Sequence, residues 1–435
     1  MRSGDWCAGL AIMMALTGCV SAPRPAMPES DEALYTALFP YYVEACAVSQ
    51  ILKKPGFGAD IRGGPGGHAV LYLNGVCRVP DAGYPTVALC DADPPQPGQG
   101  VGLSVNAHYK NAEWVATEGR AFFFDGAPGG TSGGVSGPLA RLTRLAYRRA
   151  QQQAEAQGVL DGVVFHDEVF DDMPPGMTRR DWMYEMSIGT DYAVGFARDR
   201  YCARVPLDRA RMARVVAYLN DLNAPYKAGR VFEWNVVRNN CSHMIHNALS
   251  TADIWDVWQP ERFILFAALD FPVPKNEFVN LMRRTNDLPL DDPVALYGDP
   301  ATRASVLADG TLPSAPGALA EFRPVVQDNE VYDTDLSLIF YDDPFTARYE
   351  RRLRTIFADP RYVDLDANLH YFAALYRRVQ ARREPLDRYL NTISNLSGSD
   401  RQQAALFYQR FYQAIDRSSA SVAADQARLD ARQAR

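Results

Sequence analysis

A single cysteine at the start of a predicted helix is the residue best placed to act as a nucleophile. Cys241 follows two asparagines in the segment N-V-V-R-N-N-C-S-H-M-I-H-N-A-L, residues 235–249. Asn239 and Asn240 are both suitable N-caps, and the apolar residues that follow recur at helical spacing. Unpaired N–H groups and the positive end of the helix dipole favour a thiolate there. The pattern therefore predicts an activated thiol at Cys241.

A cysteine nucleophile also needs a base, which is usually a histidine from another part of the chain. His68 is the best candidate in this sequence. It opens the segment H-A-V-L-Y-L-N, which follows a pair of glycines and has the alternation of a strand. We therefore expect a Cys241–His68 pair in which the base comes first in the chain and the nucleophile later.

Metal and phosphate sites are the alternatives to thiol chemistry. Cys241, His243 and His246 form C-x-H-x-x-H, but no acidic or further cysteine ligand lies nearby. The acidic segment 166–172 sits in a loop without tight ligand spacing, so a solvated loop is the better interpretation. The glycine-rich segment 126–137 lacks the Lys-Ser/Thr ending of a phosphate-binding loop. We expect no metal and no cofactor.

The N-terminus has the features of an export signal. Arg2 precedes a short apolar run, residues 6–16, and the tetrapeptide L-T-G-C ends at Cys19. This tetrapeptide resembles the bacterial lipobox, which implies cleavage before Cys19 and acylation of that residue. Several acyl chains would hold the protein firmly on a membrane. Residue 20 is Val rather than Asp, which in a Gram-negative lipoprotein indicates the outer membrane, on its periplasmic side.

The composition and the number of cysteines restrict the possible classes of function further. The chain has 435 residues, is 47% hydrophobic and carries a net charge of -7, so it has a sizeable core but no basic footprint for nucleic acid. Of the seven cysteines, Cys7 and Cys19 belong to the signal and anchor. An oxidising compartment favours pairs among the remaining five. We predict two pairs, Cys77 with Cys90 and Cys46 with Cys202, which leaves Cys241 free.

Two motifs together resemble a known superfamily. The segments G-H-A-V-L-Y-L and W-N-V-V-R-N-N-C-S-H-M-I are similar to those of circularly permuted papain-like cysteine hydrolases of the NlpC superfamily. They resemble most closely the Lnb-type bacterial periplasmic domain of unknown function, and the likeness covers about residues 60–255. It implies an α+β fold, an antiparallel sheet with packed helices, in which Cys241 is the nucleophile and His68 the general base.

The resemblance also implies a third polar group that orients the imidazole from a neighbouring strand. The predicted strand Val101–His108 is the natural neighbour, and Ser104, Asn106 and His108 share one face of it. We select His108, with Asn106 as the alternative. The chemistry implied is acyl transfer through a thioester, from an amide or an ester. Peptidoglycan peptides and lipid acyl groups are the substrates within reach; a protein partner is not indicated.

The same scaffold without catalysis is the competing hypothesis, because a fold does not by itself establish activity. In that case the protein is an envelope lipoprotein that uses the papain-like scaffold as a binding or structural module. The C-terminal helices would then form its partner surface.

The chain divides into four predicted parts: a signal peptide at 1–18, a lipidated tether at 19–30, the papain-like domain at 31–255 and a mostly helical extension at 256–435. Within the domain, Asp31–Lys54 has helical periodicity, and Pro40 inside it predicts a kink or a division into two short helices. The tail from Ser418 onward is expected to fray.

Overall fold

The computed structural model describes most of the chain downstream of the predicted signal and anchor. Cys19 and the signal peptide lie outside the described residues. The described ranges are 29–63, 66–80, 82–127, 139–236, 238–259, 273–336, 348–393 and 396–433.

A six-stranded antiparallel sheet in the order β6-β5-β2-β1-β8-β9 is the centre of a mixed α+β fold. Two short two-stranded pairs, β3 with β4 and β7 with β10, lie outside it. The strands are β1 (Tyr42–Val48), β2 (His68–Asn74), β3 (Val76–Arg78), β4 (Val87–Leu89), β5 (Gly100–Val105), β6 (Trp114–Glu118), β7 (Arg141–Leu142), β8 (Arg200–Pro206), β9 (Leu319–Arg323) and β10 (Asp328–Asn329).

Helices cover both faces of this sheet. In chain order they are α1 (Glu29–Leu38), α2 (Arg120–Asp125), α3 (Arg144–Ala156), α4 (Arg179–Ser187), α5 (Arg209–Lys227), α6 (Cys241–Ser250), α7 (Pro274–Asn286), α8 (Pro293–Gly298), α9 (Pro300–Ala308), α10 (Arg348–Ala358), α11 (Leu365–Ala381), α12 (Leu386–Thr392) and α13 (Gly398–Gln433). In the part of the chain described, none of them combines the length and apolar character needed to cross a bilayer.

The central strand β1 lies where the sequence predicts the second half of a helix. The predicted helix across 31–54 ends at Leu38, and residues 42–48 form a strand whose side chains are all buried. Val43, Ala45 and Ala47 face one core, and their neighbours on the strand face the other. A strand covered on both faces lacks the polar alternation by which a strand is recognised, so its apolar residues were fitted to a helical period.

A carboxylate lies within this buried strand. Glu44 accepts hydrogen bonds at 2.9 Å from Arg120, and Arg204 lies 3.6 Å away. Burial by itself raises the pKa of Glu44, but the charges of Arg120 and Arg204 outweigh it and lower the pKa to about 2. The interior charge is therefore paired, as a buried carboxylate requires.

The C-terminal part of the chain does not form a separate unit at residue 256. Strand β9 is the edge strand of the sheet and pairs with β8, from Arg200↔Arg323 to Arg204↔Leu319. The tail that was expected to fray is the second half of α13, where Val422 and Leu429 are buried. The extension therefore completes the fold of the domain that precedes it.

Two disulfides join residues within this sheet region. Cys46 and Cys202 stand opposite each other on β1 and β8 and are linked, and Cys77 is linked to Cys90 across the β3–β4 pair. These are the pairs expected from the sequence. Among the described residues, Cys241 is the free cysteine, and it is buried.

Candidate active site

The helix that carries Cys241 begins as the sequence predicted. Asn240 is the N-cap of α6, and its side chain accepts hydrogen bonds from the backbone N–H groups of Ser242 (2.8 Å) and His243 (3.1 Å). His243 Nδ1 accepts in return from the Asn240 N–H at 3.2 Å, which completes a capping box. The cap therefore fixes Cys241 at the first position of the helix.

The thiol lies against the strand that carries the predicted base. The backbone N–H of Ala69 donates a hydrogen bond to Cys241 Sγ at 3.3 Å. Ala69 is the second residue of β2 and follows His68 directly. The fold thus brings the two sequence-predicted residues to the same end of one strand, although they are 173 positions apart in the chain.

The imidazole of His68 is held by Ser104 on the neighbouring strand. His68 Nε2 lies 2.8 Å from Ser104 Oγ, and β2 pairs with β5 through Val70↔Ser104. Among the described residues, no hydrogen bond joins the His68 ring to Cys241 Sγ. The ring therefore points its Nε2 at the serine hydroxyl in this conformation.

A buried carboxylate stands behind that serine. Asn106 Nδ2 donates to Asp191 Oδ2 at 2.9 Å, and Ser104 lies close enough to Asp191 to lower the pKa of its carboxyl. Asp191 is fully buried, and burial raises its pKa more than these polar neighbours lower it. Asp191 Oδ1 has no hydrogen-bond partner among the described residues, so the hydrogen-bonded contact of the His68 ring is with Ser104.

His108 was the expected third group, and the structure places it elsewhere. Strand β5 ends at Val105, so the two-residue alternation that would align His108 with Ser104 stops before it. The His108 ring packs against Phe165 with centroids 5.9 Å apart, and burial lowers its pKa to about 4. Asn106, the alternative, reaches Asp191 rather than His68.

Arg198 is a site residue that the sequence did not indicate. It is buried and donates to the carbonyl oxygens of Gly189 (2.8 Å) and Ser49 (2.6 Å). Its charge acts on both members of the pair, lowering the pKa of Cys241 and of His68. In the sequence, R-D-R at 198–200 has the features of an exposed charged turn, so no local signal identifies this burial.

Burial opposes the charged form of both members of the pair. It raises the pKa of Cys241, and the hydrogen bond from Ala69, the neighbouring Ser242 and the charge of Arg198 only partly offset this. Burial likewise lowers the pKa of His68 well below its usual value. The thiolate that the helix start favours in the sequence is therefore opposed by desolvation of a thiol that is 7% exposed.

The metal alternatives have other partners. His243 serves the cap, and His246 lies 2.8 Å from Glu277 and stacks on Trp255 at 4.4 Å. Of the described residues, one acidic and sulfur-containing group has metal-like spacing, but two of its members form a disulfide and so offer no thiolate. That group is Glu44, Cys46 and Cys202.

Comparison of the chain with protein-family models, with curated proteins and with solved structures found no significant match.

Proposed function

We propose that this protein is a thiol hydrolase or acyltransferase that cleaves an amide or ester through Cys241 and His68. The observation that carries the proposal is the hydrogen bond from Ala69 N–H to Cys241 Sγ at 3.3 Å. It sets the sulfur of a capped helix beside the strand residue that precedes Ala69, which is a histidine. A circularly permuted papain-like arrangement of the antiparallel sheet and the cysteine helix is the finer fold that we propose with it.

The reaction follows from the two groups and their protons. His68 takes the proton from Cys241 Sγ, and the sulfur attacks the acyl carbon, so that a C–S bond forms. The bond from that carbon to nitrogen or oxygen then breaks, and the imidazolium returns the proton to the leaving group. Water or another nucleophile attacks the thioester, and the free thiol is restored. Backbone N–H groups at the start of α6 are suited to stabilise the oxyanion.

The polar side chains around His68 support a catalytic role. An imidazole that becomes charged during a reaction needs a partner to orient it, and Ser104 supplies one, with the Asp191 carboxyl close to that serine. Asp191 is fully buried and its neighbours are polar, so this carboxyl is maintained inside the protein at an energetic cost. An apolar residue would fill this core position at a lower cost in free energy. The presence of Asp191 there therefore favours a functional role for its carboxyl.

The second candidate is a non-catalytic envelope protein built on the same scaffold. It is favoured by the burial of both groups, with Cys241 7% and His68 8% exposed, because burial opposes the thiolate and the imidazolium. A substrate must reach the sulfur, and the imidazole must turn from Ser104 toward it. In a purely structural protein neither movement is needed.

The location that we propose is the periplasmic face of the outer membrane, with a lipid on Cys19. The reachable substrates are then peptidoglycan peptides and the acyl groups of membrane lipids. Both supply an amide or an ester carbonyl for thiol attack.

Covalent trapping tests the proposal directly. The purified full chain is incubated with an envelope extract, quenched in acid and analysed by intact-protein and peptide mass spectrometry. We expect an acyl adduct on Cys241 that is absent from Cys241→Ala and that accumulates in His68→Gln only slowly. Absence of any adduct, with the wild-type protein shown to be folded by circular dichroism, supports the non-catalytic scaffold instead.

A further inference from the structure

The loop that leads into the Cys241 helix carries a concentration of exposed apolar side chains. Three of the seven large hydrophobic residues that are exposed in the described chain fall within six positions, Val231 (45%), Trp234 (42%) and Val236 (50%). A fourth, Val164 (50%), is connected to them through Lys110, whose N–H bonds Val164 O and whose carbonyl accepts from Phe232. We call the loop 228–238, of which Val237 lies outside the described residues, together with Val164 the apolar loop.

We propose that the apolar loop docks on a phospholipid bilayer surface and holds the candidate active site against it. Clustered apolar side chains on a protein surface mark an interaction site, whereas scattered ones need no explanation. Trp234 has the amphipathic ring that favours the boundary between headgroups and acyl chains. Among the described tryptophans it is the exposed one; the others are buried or partly buried.

The charge of the loop suits a membrane with anionic lipids. The loop carries Arg230 and Arg238 against the single acid Glu233, and with Lys227 at the adjoining end of α5 the net charge is +2 in a chain whose net charge is -7. Basic side chains that flank interfacial apolar residues strengthen binding to anionic headgroups. The adjoining acidic turn is partly neutralised, because Asp167 is paired with Lys110 and Arg179 at 3.6 and 3.5 Å.

The short tether before α1 supports a phospholipid bilayer as the partner of the apolar loop. This step rests on the proposed lipid at Cys19. Residues 20–28 separate that cysteine from the start of α1 at Glu29. Nine residues reach at most about 30 Å when fully extended. The domain is therefore confined to the bilayer surface, where a solvent-exposed apolar loop of this kind has a partner at high local concentration.

The loop is physically tied to the nucleophile. Asn240 Nδ2 donates to Val236 O at 2.7 Å while the same side chain caps the Cys241 helix. Asn235 and Asn239 exchange two backbone hydrogen bonds of 2.9 Å, which close the loop into a tight turn. Docking of Trp234 and Val236 thus orients the start of the helix toward the bilayer.

Fluorescence of Trp234 tests the proposal in the lipid-anchored full chain. The protein is reconstituted in vesicles of phosphatidylethanolamine and phosphatidylglycerol, and the emission of Trp234 is obtained by subtracting the spectrum of Trp234→Phe. We expect the Trp234 emission to shift to the blue and to be quenched by lipids brominated near the headgroup end of the acyl chain. Aqueous acrylamide should quench this emission several-fold less than it does in protein from which both detergent and lipid have been removed. Val231→Ser with Val236→Ser should abolish most of the bromolipid quenching.

A matched control and separable outcomes complete the design. Leu406 on α13 is also 42% exposed, so Leu406→Ser should leave the Trp234 signal unchanged. The proposal is overturned if acrylamide still reaches Trp234 in vesicle-bound protein. It is also overturned if Trp234 becomes shielded only as the protein concentration rises, because that dependence indicates contact with a second copy of the protein. Protein that fails to remain with the vesicles refutes the lipid anchor. Cys241→Ala should dock normally, so loss of catalysis and loss of docking are distinguishable.

Discussion

The backbone N–H of Ala69 donates to Cys241 Sγ at 3.3 Å, which places the sulfur at the start of β2, next to the residue that follows His68. The thiol is buried there, with 7% of the residue exposed. A thiol in this setting is protected from the oxidising compartment in which it is expected to reside.

The rate of Cys241 alkylation should rise with pH and should become large only at alkaline pH. Burial raises its pKa above the ordinary 9.0, and the thiolate is the reactive form, so the reactive fraction is small at pH 7 and still grows above pH 9. The rate of iodoacetamide addition, followed by intact-protein mass spectrometry from pH 6 to 10, checks this. Cys241→Ala corrects for other sites. A rate that reaches its plateau below pH 7 would show that the resting thiolate is stabilised after all.

Replacement of Ser104 should impair acyl transfer more than replacement of His108. Ser104→Ala removes the only side-chain hydrogen bond that the His68 ring makes among the described residues, at 2.8 Å. Loss of a hydrogen bond to a group that becomes charged corresponds to roughly a 10- to 100-fold lower rate. The measurement is the rate of acyl-Cys241 formation across pH with the substrate identified by trapping.

Two variants make this comparison specific to orientation. Ser104→Thr keeps the hydroxyl and should restore most of the rate, whereas a merely structural effect of the alanine would not respond to the hydroxyl. His108→Ala should leave the rate near that of the wild type, because its ring lies against Phe165. The reverse ranking of Ser104 and His108 would restore the sequence-based assignment.

The two disulfides should contribute unequally to stability. They close segments with sequence separations of 156 for Cys46–Cys202 and 13 for Cys77–Cys90. In the chain-entropy treatment these correspond to about 5 and about 3 kcal/mol. We therefore expect Cys46→Ala with Cys202→Ala to lower the free energy of unfolding by about 2 kcal/mol more than Cys77→Ala with Cys90→Ala. Urea denaturation of both double variants measures the difference, and equal losses would contradict it.

Glu113 should make the folded protein less stable as the pH rises through neutrality. Burial raises its pKa from 4.5 to about 7, so the folded state retains a proton that the unfolded state has released. The contribution of Glu113 to the free energy of unfolding is then greatest below pH 4.5 and falls between pH 4.5 and about 7. Glu113→Gln, which is neutral at all pH values, should stabilise the protein at pH 8 by up to about 3 kcal/mol and have little effect at pH 5.

Thermal and urea denaturation at the two pH values checks this prediction. The matched control is Glu118→Gln, an exposed glutamate at the end of β6, the strand that begins directly after Glu113; its effect on stability should be small at both pH values. A Glu113→Gln effect of the same size at pH 5 and pH 8 would mean that the carboxyl is ionised throughout. The neighbouring side chains of Tyr226 and Asn239, which lower the pKa of Glu113, and the charge of Arg230 would then be sufficient to hold its charge.

Local features of the fold were readable from the sequence because they depend on neighbouring residues. Asn240 caps the Cys241 helix through bonds to the next two or three positions, and Asp208 caps α5 in the same way. The strand that begins at His68 shows its own period of two. Cysteine parity and the turn between Cys77 and Cys90 indicated the bonded pairs and the free thiol.

What only the tertiary structure decided are relationships between distant segments. Ser104 rather than His108 meets His68 because β5 ends at Val105, and the end of a strand is set by its neighbours in the sheet. Residues 42–48 are a strand because they pair with β2 on one side and β8 on the other, and burial of both faces removes the alternation that would identify a strand in the sequence. Burial raises the pKa of the Cys241 thiol, and this desolvation depends on packing from many parts of the chain rather than on the helix start that the sequence displays.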